Sequence, residues 1–378
     1  MKENGVFISK NVQGRPVLGL VAAAVSVLLV SACSGSGGAP AGVDLGSEPA
    51  KAGTVKSGAL KGSTLTFASY GGVYQDAQMA AAVTPFGEES GARVLSDGPT
   101  EYAKIQAQVE SNNVTWDVVD TDSTWAAGQC GKQLQKLDYT IIDKSKVPAG
   151  LASDCYVPAM QYASVMVYNK DKFTQGPTSW ADFFDVKKYP GKRAVQGNDV
   201  GAGILEGALI ADGVAPKDLY PLDIDRALKK LDTIKDSLVF WTTGAQSQQM
   251  LESKEVDMAV VWSGRAFAAE ENGAPFEPAW DTGVVIMDVL GVPTNAKDPK
   301  ASMALINYYL GAAQQEKLTE KTSYSPVNTD AKPAVNENGK KFLITEPAIA
   351  SKVLVSNFAW WGENYASTLE RVTAWISK

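Results

Sequence analysis

From residue 64 onward the chain alternates short apolar runs with longer amphipathic ones, and this alternation limits the possible folds more than any other feature. Thr64-Leu65-Thr66-Phe67-Ala68 alternates polar and apolar and is followed by Gly71-Gly72, the pattern of a strand and a turn. Further strands are expected at 93–95, 116–119, 162–168, 194–195, 238–241, 258–262 and 284–287. Helices are expected at 74–89, at 101–111 and between most of the later strands. Short buried strands separated by helices predict a mainly parallel α/β sheet. Beyond residue 300 the pattern is mostly helical, most clearly at 301–313 and 361–377. The organised stretch is long enough for two α/β domains of about 150 residues each. Ligands of such sheets bind beyond the carboxyl ends of the strands, so residues just after strands are the candidates for function.

The first part of the chain reads as an address. Lys2, Lys10 and Arg15 precede fourteen mostly apolar residues, 17–30, which are too few for a comfortable membrane span and suit a signal-peptide core. Val30-Ser31-Ala32-Cys33 resembles a bacterial lipobox. Residues 1–32 are therefore expected to be a lipoprotein signal peptide, with Cys33 lipidated and holding the protein to the outer face of the bacterial cell membrane. Gly, Ser, Ala or Pro fill 19 of the 29 positions from 34 to 62, so 33–62 is expected to be a flexible tether. Two cysteines remain, Cys130 and Cys155. An exported chain meets oxidising conditions, and the two are expected to pair, with buried free thiols as the alternative.

Composition removes whole classes of chemistry. The 378 residues contain no histidine, which excludes a Ser-His-Asp triad, a Cys-His dyad and any His-ligated metal. A net charge of −7 argues against nucleic acid as a partner. No cofactor or metal is expected. Gly201-Ala202-Gly203 with Gly207 misses the dinucleotide fingerprint, because Glu206 stands where the third glycine belongs. It reads better as a helix N-terminus facing a cleft. Tyr308-Tyr309 lies in an apolar helical run and reads as core, and Glu88-Glu89 and Glu270-Glu271 read as solvated.

Two strand ends carry candidates. Trp241 and Thr242 follow one strand, with Thr243 and Gln246 placed to form a capping box. Trp262-Ser263-Gly264-Arg265 follows another and opens a helix. It combines a flat aromatic, a close-approach glycine and a planar five-donor cation.

Taken in order, several motifs resemble the spermidine/putrescine-type extracellular solute-binding proteins of ABC importers. They are Phe67-Ala68-Ser69-Tyr70-Gly71-Gly72-Val73-Tyr74-Gln75, Trp116-Asp117-Val118-Val119-Asp120, Ser179-Trp180-Ala181-Asp182-Phe183-Phe184-Asp185, Tyr220-Pro221-Leu222-Asp223, Gly244-Ala245-Gln246-Ser247-Gln248-Gln249 and Trp262-Ser263-Gly264-Arg265. The resemblance covers about 63–375. It implies a type II periplasmic-binding-protein-like α/β fold: two lobes, a hinge, a central ligand cleft and a helical C-terminal part. The implied lobes are 63–162 plus about 288–330, and about 163–287 plus about 331–378. It also implies a monomer that delivers a small amine or amino-acid ligand to the transmembrane subunits of an ABC permease. By resemblance, the ligand-binding positions fall on Tyr70, Tyr74, Thr121, Asp122, Trp262, Asp288 and Tyr324, and the residues' own reading adds Trp241 and Arg265.

Two departures bear on the ligand. Family members carry a Trp where this chain has Ile286, and a small residue where it has Arg265. Arg265 suits a carboxylate and Asp288 an ammonium, which together describe a receptor for a zwitterion such as 4-aminobutyrate. If Glu206 or Asp199 neutralises Arg265, a polyamine or putrescine-type ligand remains. The rival class, a secreted α/β hydrolase, is disfavoured by the missing histidine and by the lack of a Gly-x-Ser-x-Gly elbow in the folded region.

Overall fold

The structure is a computed structural model that describes residues 43–201 and 203–378. The expected signal peptide and Cys33 lie outside the described residues. The fold is mixed α/β around one connected sheet of nine strands. These are β1 (Thr64–Ala68), β2 (Arg93–Asp97), β3 (Val118–Asp122), β4 (Tyr156–Asn169), β5 (Arg193–Gln196), β6 (Leu238–Trp241), β7 (Met258–Trp262), β8 (Phe276–Gly291) and β9 (Leu354–Val355). Their order is β2-β1-β3-β8-β4-β7-β5-β6, with β9 pairing β8.

The expected parallel sheet holds within two trios. β1 pairs β2 and β3 in parallel, and β5 pairs β6 and β7 in parallel. Between the trios, β4 and β8 run antiparallel to each other from Tyr156↔Gly291 to Asn169↔Phe276, and they also meet β7 and β3 antiparallel. The sequence pattern shows only the most apolar stretch of each. β4 is twice as long as its expected stretch and β8 about four times, because Pro158, Gln161, Thr282 and Asp288 interrupt the apolar run without ending the ladder. Register shifts between Pro158 and Met160, and between Ser164 and Met166, bend β4 where it passes from one trio to the other.

Three apolar clusters pack on this sheet. One gathers Leu65, Phe67 and Val118 with Ile286, Leu290 and the helices Pro299–Tyr309 and Ala312–Thr322. A second gathers Ala163, Val165, Val261 and Trp241 with the helices Gly244–Glu252 and Ser263–Glu271. The third joins Leu205, Leu231 and Trp180 to Trp125, Ala126 and the C-terminal helix Phe358–Ile376. That helix meets the short helix Ser123–Ala126 through glycine: a Cβ added to Gly128 would lie 2.2 Å from the Gly362 carbonyl oxygen.

Three expectations change. The tether does not extend to residue 62. From Val43 on, the chain lies on the first cluster: Leu60 is buried, Val43, Leu45 and Val55 pack beside it, and Asn307 Nδ2 donates to the Lys51 and Thr54 carbonyls at 2.9 and 3.0 Å. Four apolar residues spaced among small ones suffice to dock it. The helix expected at 301–313 breaks at Gly311, whose missing side chain admits the backbone of Gly53. The helix expected at 74–89 contains a π-helical stretch, Met79–Val83, between α-helices Gly72–Gln78 and Thr84–Ser90. Cys130 and Cys155 are joined in a disulfide, their Cα atoms 5.4 Å apart.

Candidate functional site

Sheet register gathers the acids. Side chains two apart on a strand share a face, so Asp120 and Asp122 point the same way at the carboxyl end of β3. Asp122 stands directly opposite Asp288 on β8. Two residues along β8, Ile286 stands opposite Tyr162 on β4; two along β4, Ser164 stands opposite Trp262 on β7. One face therefore presents Asp120, Asp122, Asp288, Tyr162 and Trp262.

Hydrogen bonds fix these groups. Asp122 caps the helix Ser123–Ala126, accepting from the Thr124 N–H at 2.8 Å and its hydroxyl at 2.6 Å, while the Tyr162 hydroxyl donates to its other oxygen at 3.0 Å. Asp120 Oδ2 accepts from Tyr74 at 2.8 Å, from Ser69 at 3.3 Å and from Gln78 Nε2. Asp120 Oδ1 has no partner. Asp199, just past β5, accepts from the Val200 and Gly201 N–H groups and from the Tyr365 hydroxyl at 3.0 Å.

Burial pushes all four carboxyls above the usual range, and neighbouring carboxylates add to it at Asp122 and Asp288. Asp120 rises to about 7 through burial, against the pull of its three donors. Asp122 rises to about 7 through burial and then the charge of Asp199. Asp288 rises well above its ordinary value through burial and then the charges of Asp120 and Asp122. Asp199 also rises, through burial.

Arg265 supplies the opposite charge. It is 1% exposed, in the first turn of the helix Ser263–Glu271. Nη2 donates to the Gly71 carbonyl at 2.9 Å, whereas Nε and Nη1 have no partner. Arg265 forms no ion pair among the described residues. Glu206 is instead bound by Tyr220 at 2.7 Å and Trp361 at 3.1 Å, and Asp199 is held by Tyr365. Gly72 and Gly244 admit the guanidinium: a Cβ on Gly72 would lie 3.2 Å from Nη1, and one on Gly244 would lie 2.5 Å from Nε. The helix Gly244–Glu252 also points its N-terminus at this position, capped by Thr243 accepting from the Gln246 N–H.

Aromatic rings close the site. Trp262 meets Tyr70 edge-on at 5.6 Å and Tyr162 at 6.2 Å. Tyr324 packs against Tyr74 at 5.3 Å and Tyr162 at 5.5 Å. The Tyr70 and Tyr102 hydroxyls share a hydrogen bond of 2.9 Å, and Tyr102 stacks on Trp125 at 4.6 Å.

Of the residues singled out from sequence, Tyr70, Tyr74, Asp122, Trp262, Arg265, Asp288 and Tyr324 come together. Thr121 and Trp241 do not share their surface. Thr121 points to the opposite face of β3 from Asp122 by strand alternation, where it is fully buried. Trp241 is fully buried behind Trp262, ring centroids 5.2 Å apart, with its indole N–H donated to the Val260 carbonyl. Sequence reasoning did not select Asp120, Asp199, Tyr102, Tyr162 or Tyr365 as ligand-binding positions. The Asp120-Thr121-Asp122 alternation at a strand end was the available signal for the first. Tyr308 and Tyr309 are core, as read, with the Tyr309 hydroxyl accepting from Gln78 at 3.0 Å.

Two trios whose carboxyl ends meet at this buried cluster of acids and tyrosines, joined by two long crossing strands, are the frame of a solute-binding protein. Residues 81–345 match the model of the bacterial extracellular solute-binding protein family. The chain belongs to this family, whose members bind solutes rather than transform them. It is 30% identical to the gamma-aminobutyric acid-binding protein of Pseudomonas aeruginosa, over 83% of this chain and 91% of that protein. It is 26% identical to the spermidine/putrescine-binding periplasmic protein of Salmonella typhimurium, over 65% of this chain and 74% of that protein. Among solved structures, the Atu4243–GABA receptor is 39% identical with a TM-score of 0.76, covering 83% of this chain and 98% of its own. The AgtB protein of A. tumefaciens R10, in complex with agropinic acid, is 34% identical with a TM-score of 0.78, covering 84% and 99%.

Proposed function

We propose that this protein captures a zwitterion of the 4-aminobutyrate kind in the cleft and delivers it to the transmembrane subunits of an ABC permease. The observation that carries the ligand reading is Arg265: a buried guanidinium with two nitrogens unpartnered and no carboxylate paired to it among the described residues. A buried charge left this way costs several kcal/mol, on the order of 3–5, unless a ligand anion completes it. A ligand carboxylate meets Arg265 and the adjoining helix N-terminus, and the ligand ammonium meets Asp288 and Asp122 between Tyr70, Tyr162 and Trp262. The likeness to two proteins named for 4-aminobutyrate supports this reading.

In the same reading, 63–162 with about 288–330 is one lobe, and about 163–287 with about 331–378 is the other. β4 and β8 bend between them as the cleft closes over ligand. The protein acts as a monomer held at the membrane by a lipid on Cys33. A di- or polyamine is the second reading, favoured by the excess of four carboxyls over one guanidinium. Calorimetry with 4-aminobutyrate and putrescine, on the wild type and on Arg265→Ala, separates the two. The zwitterion reading expects 4-aminobutyrate to bind the wild type and to lose at least tenfold in affinity on Arg265→Ala. Tight putrescine binding that Arg265→Ala leaves unchanged or improves would overturn it.

A further inference from the structure

The ligand contacts proposed above do not use Asp120. It is fully buried, yet no arginine or lysine among the described residues pairs with it, and its Oδ1 is unpartnered. Such a carboxyl at the floor of a binding cleft invites a role exercised through a neighbour. That neighbour is Asp288. β3 and β8 are adjacent, Asp122 stands opposite Asp288, and Asp120 is the next residue along the same face. The Tyr74 hydroxyl donates to Asp120 Oδ2 at 2.8 Å.

We propose that Asp120 is a positioning residue that sets the protonation of Asp288, and so the pH range over which the cleft captures an amine. This rests on the reading that Asp288 holds the ligand ammonium. Two carboxyls this close in a dry site do not both ionise freely, so a charge on Asp120 keeps the proton on Asp288 until a cation arrives. The other titratable groups facing Asp120 are Tyr74 from the helix Gly72–Gln78, Tyr309 from the helix Pro299–Tyr309, Tyr70 and Tyr324 from loops, and Asp122 on its own strand. Every tyrosine among them is held neutral by burial, and Asp122 is a further acid whose charge acts on Asp288 in the same direction. Arg265 acts on Asp288 in the opposite sense, from across the cleft.

The test is the pH profile of affinity for 4-aminobutyrate and putrescine, from pH 5 to 9, on wild type, Asp120→Asn and Asp120→Glu. The amide keeps an acceptor for Tyr74 and Ser69 but carries no charge. It should move the midpoint of the profile about one unit or more to the acid side, with about tenfold tighter binding near pH 8, where Asp120 of the wild type is ionised. Asp120→Glu should restore the wild-type midpoint. An Asp120→Asn profile that keeps the wild-type midpoint, whatever its absolute affinity, overturns the inference and leaves the function reading standing. If the wild type binds neither amine at any pH, the function reading itself fails. Carboxyl-carbon NMR of the wild type tests the coupling without substitution: Asp120 and Asp288 should titrate together in two steps, and two independent single-step curves would overturn it.

Discussion

Lowering the pH from 8 to 5 should stabilise the ligand-free protein, and saturating ligand should abolish most of that gain. Asp120 and Asp122 have carboxyls raised from 3.8 to about 7, and Asp199 and Asp288 are raised as well. Folded protein therefore holds protons that the unfolded chain has already released between about pH 4 and 7. Where the folded state binds more protons, stability falls as pH rises. The gain is fully present below the unfolded value and gone above the folded one. Each retained proton is worth about 1.4 kcal/mol per pH unit, so one proton between pH 5 and 7 changes stability by ~3 kcal/mol.

The window is clean, because the chain has no histidine to titrate in it. The carboxyls lowered by hydrogen bonds, such as Asp97, Asp143 and Asp182, lose their contribution only below about pH 4. Glu206 and Asp117 are raised by burial and act in the same direction as the site, but a cleft ligand does not touch them. The ligand-dependent part of the profile therefore isolates the site. Urea unfolding at pH 5, 6, 7 and 8, with and without saturating ligand, measures it. Ligand should stabilise more at pH 8 than at pH 5, because an ammonium replaces the protons. Ligand-free stability that climbs from pH 5 to 8, or a ligand effect largest at pH 5, would refute the reasoning.

Other perturbations test separate parts of the structure. Trp262→Ala removes a ring that touches Tyr70, Tyr162 and Trp241, and affinity should drop tenfold or more by calorimetry while the far-ultraviolet circular dichroism is unchanged. Gly128→Val places side-chain atoms where the Gly362 carbonyl now sits, so small-angle scattering with saturating ligand should give a larger radius of gyration than the wild type. Cys33→Ser should move the protein from the membrane fraction to the soluble one. Retention in the membrane would end the lipoprotein reading.

The strands were legible because their apolar runs are short and bounded by glycine, and seven of the nine positions singled out from sequence lie together in the structure. What was not legible has a common physical cause. Local pattern reports whether a residue is apolar, whereas the site is built by register between strands far apart in sequence. Asp122 and Asp288 are separated by more than 160 positions and become opposite neighbours only because β3 and β8 pair antiparallel. The tether fared worse for a related reason: small residues from 43 to 62 signal freedom, but Asn307 and the groove beside it turn four scattered apolar side chains into an anchor.

Trp241 shows the limit from the other side. A tryptophan at a strand's carboxyl end suits a ligand, and so does Trp262, and their local sequences do not separate them. The sheet does. β6 is an edge strand and β7 an interior one, so Trp262 reaches the cleft floor beside Ser164 while Trp241 fills the space behind it. The aromatic wall is thus two layers deep: one ring faces the site, and a second holds it upright. A ring held upright leaves less conformational freedom to be lost on binding, so under the proposed ligand reading the buried Trp241 would support affinity through Trp262 without facing the ligand.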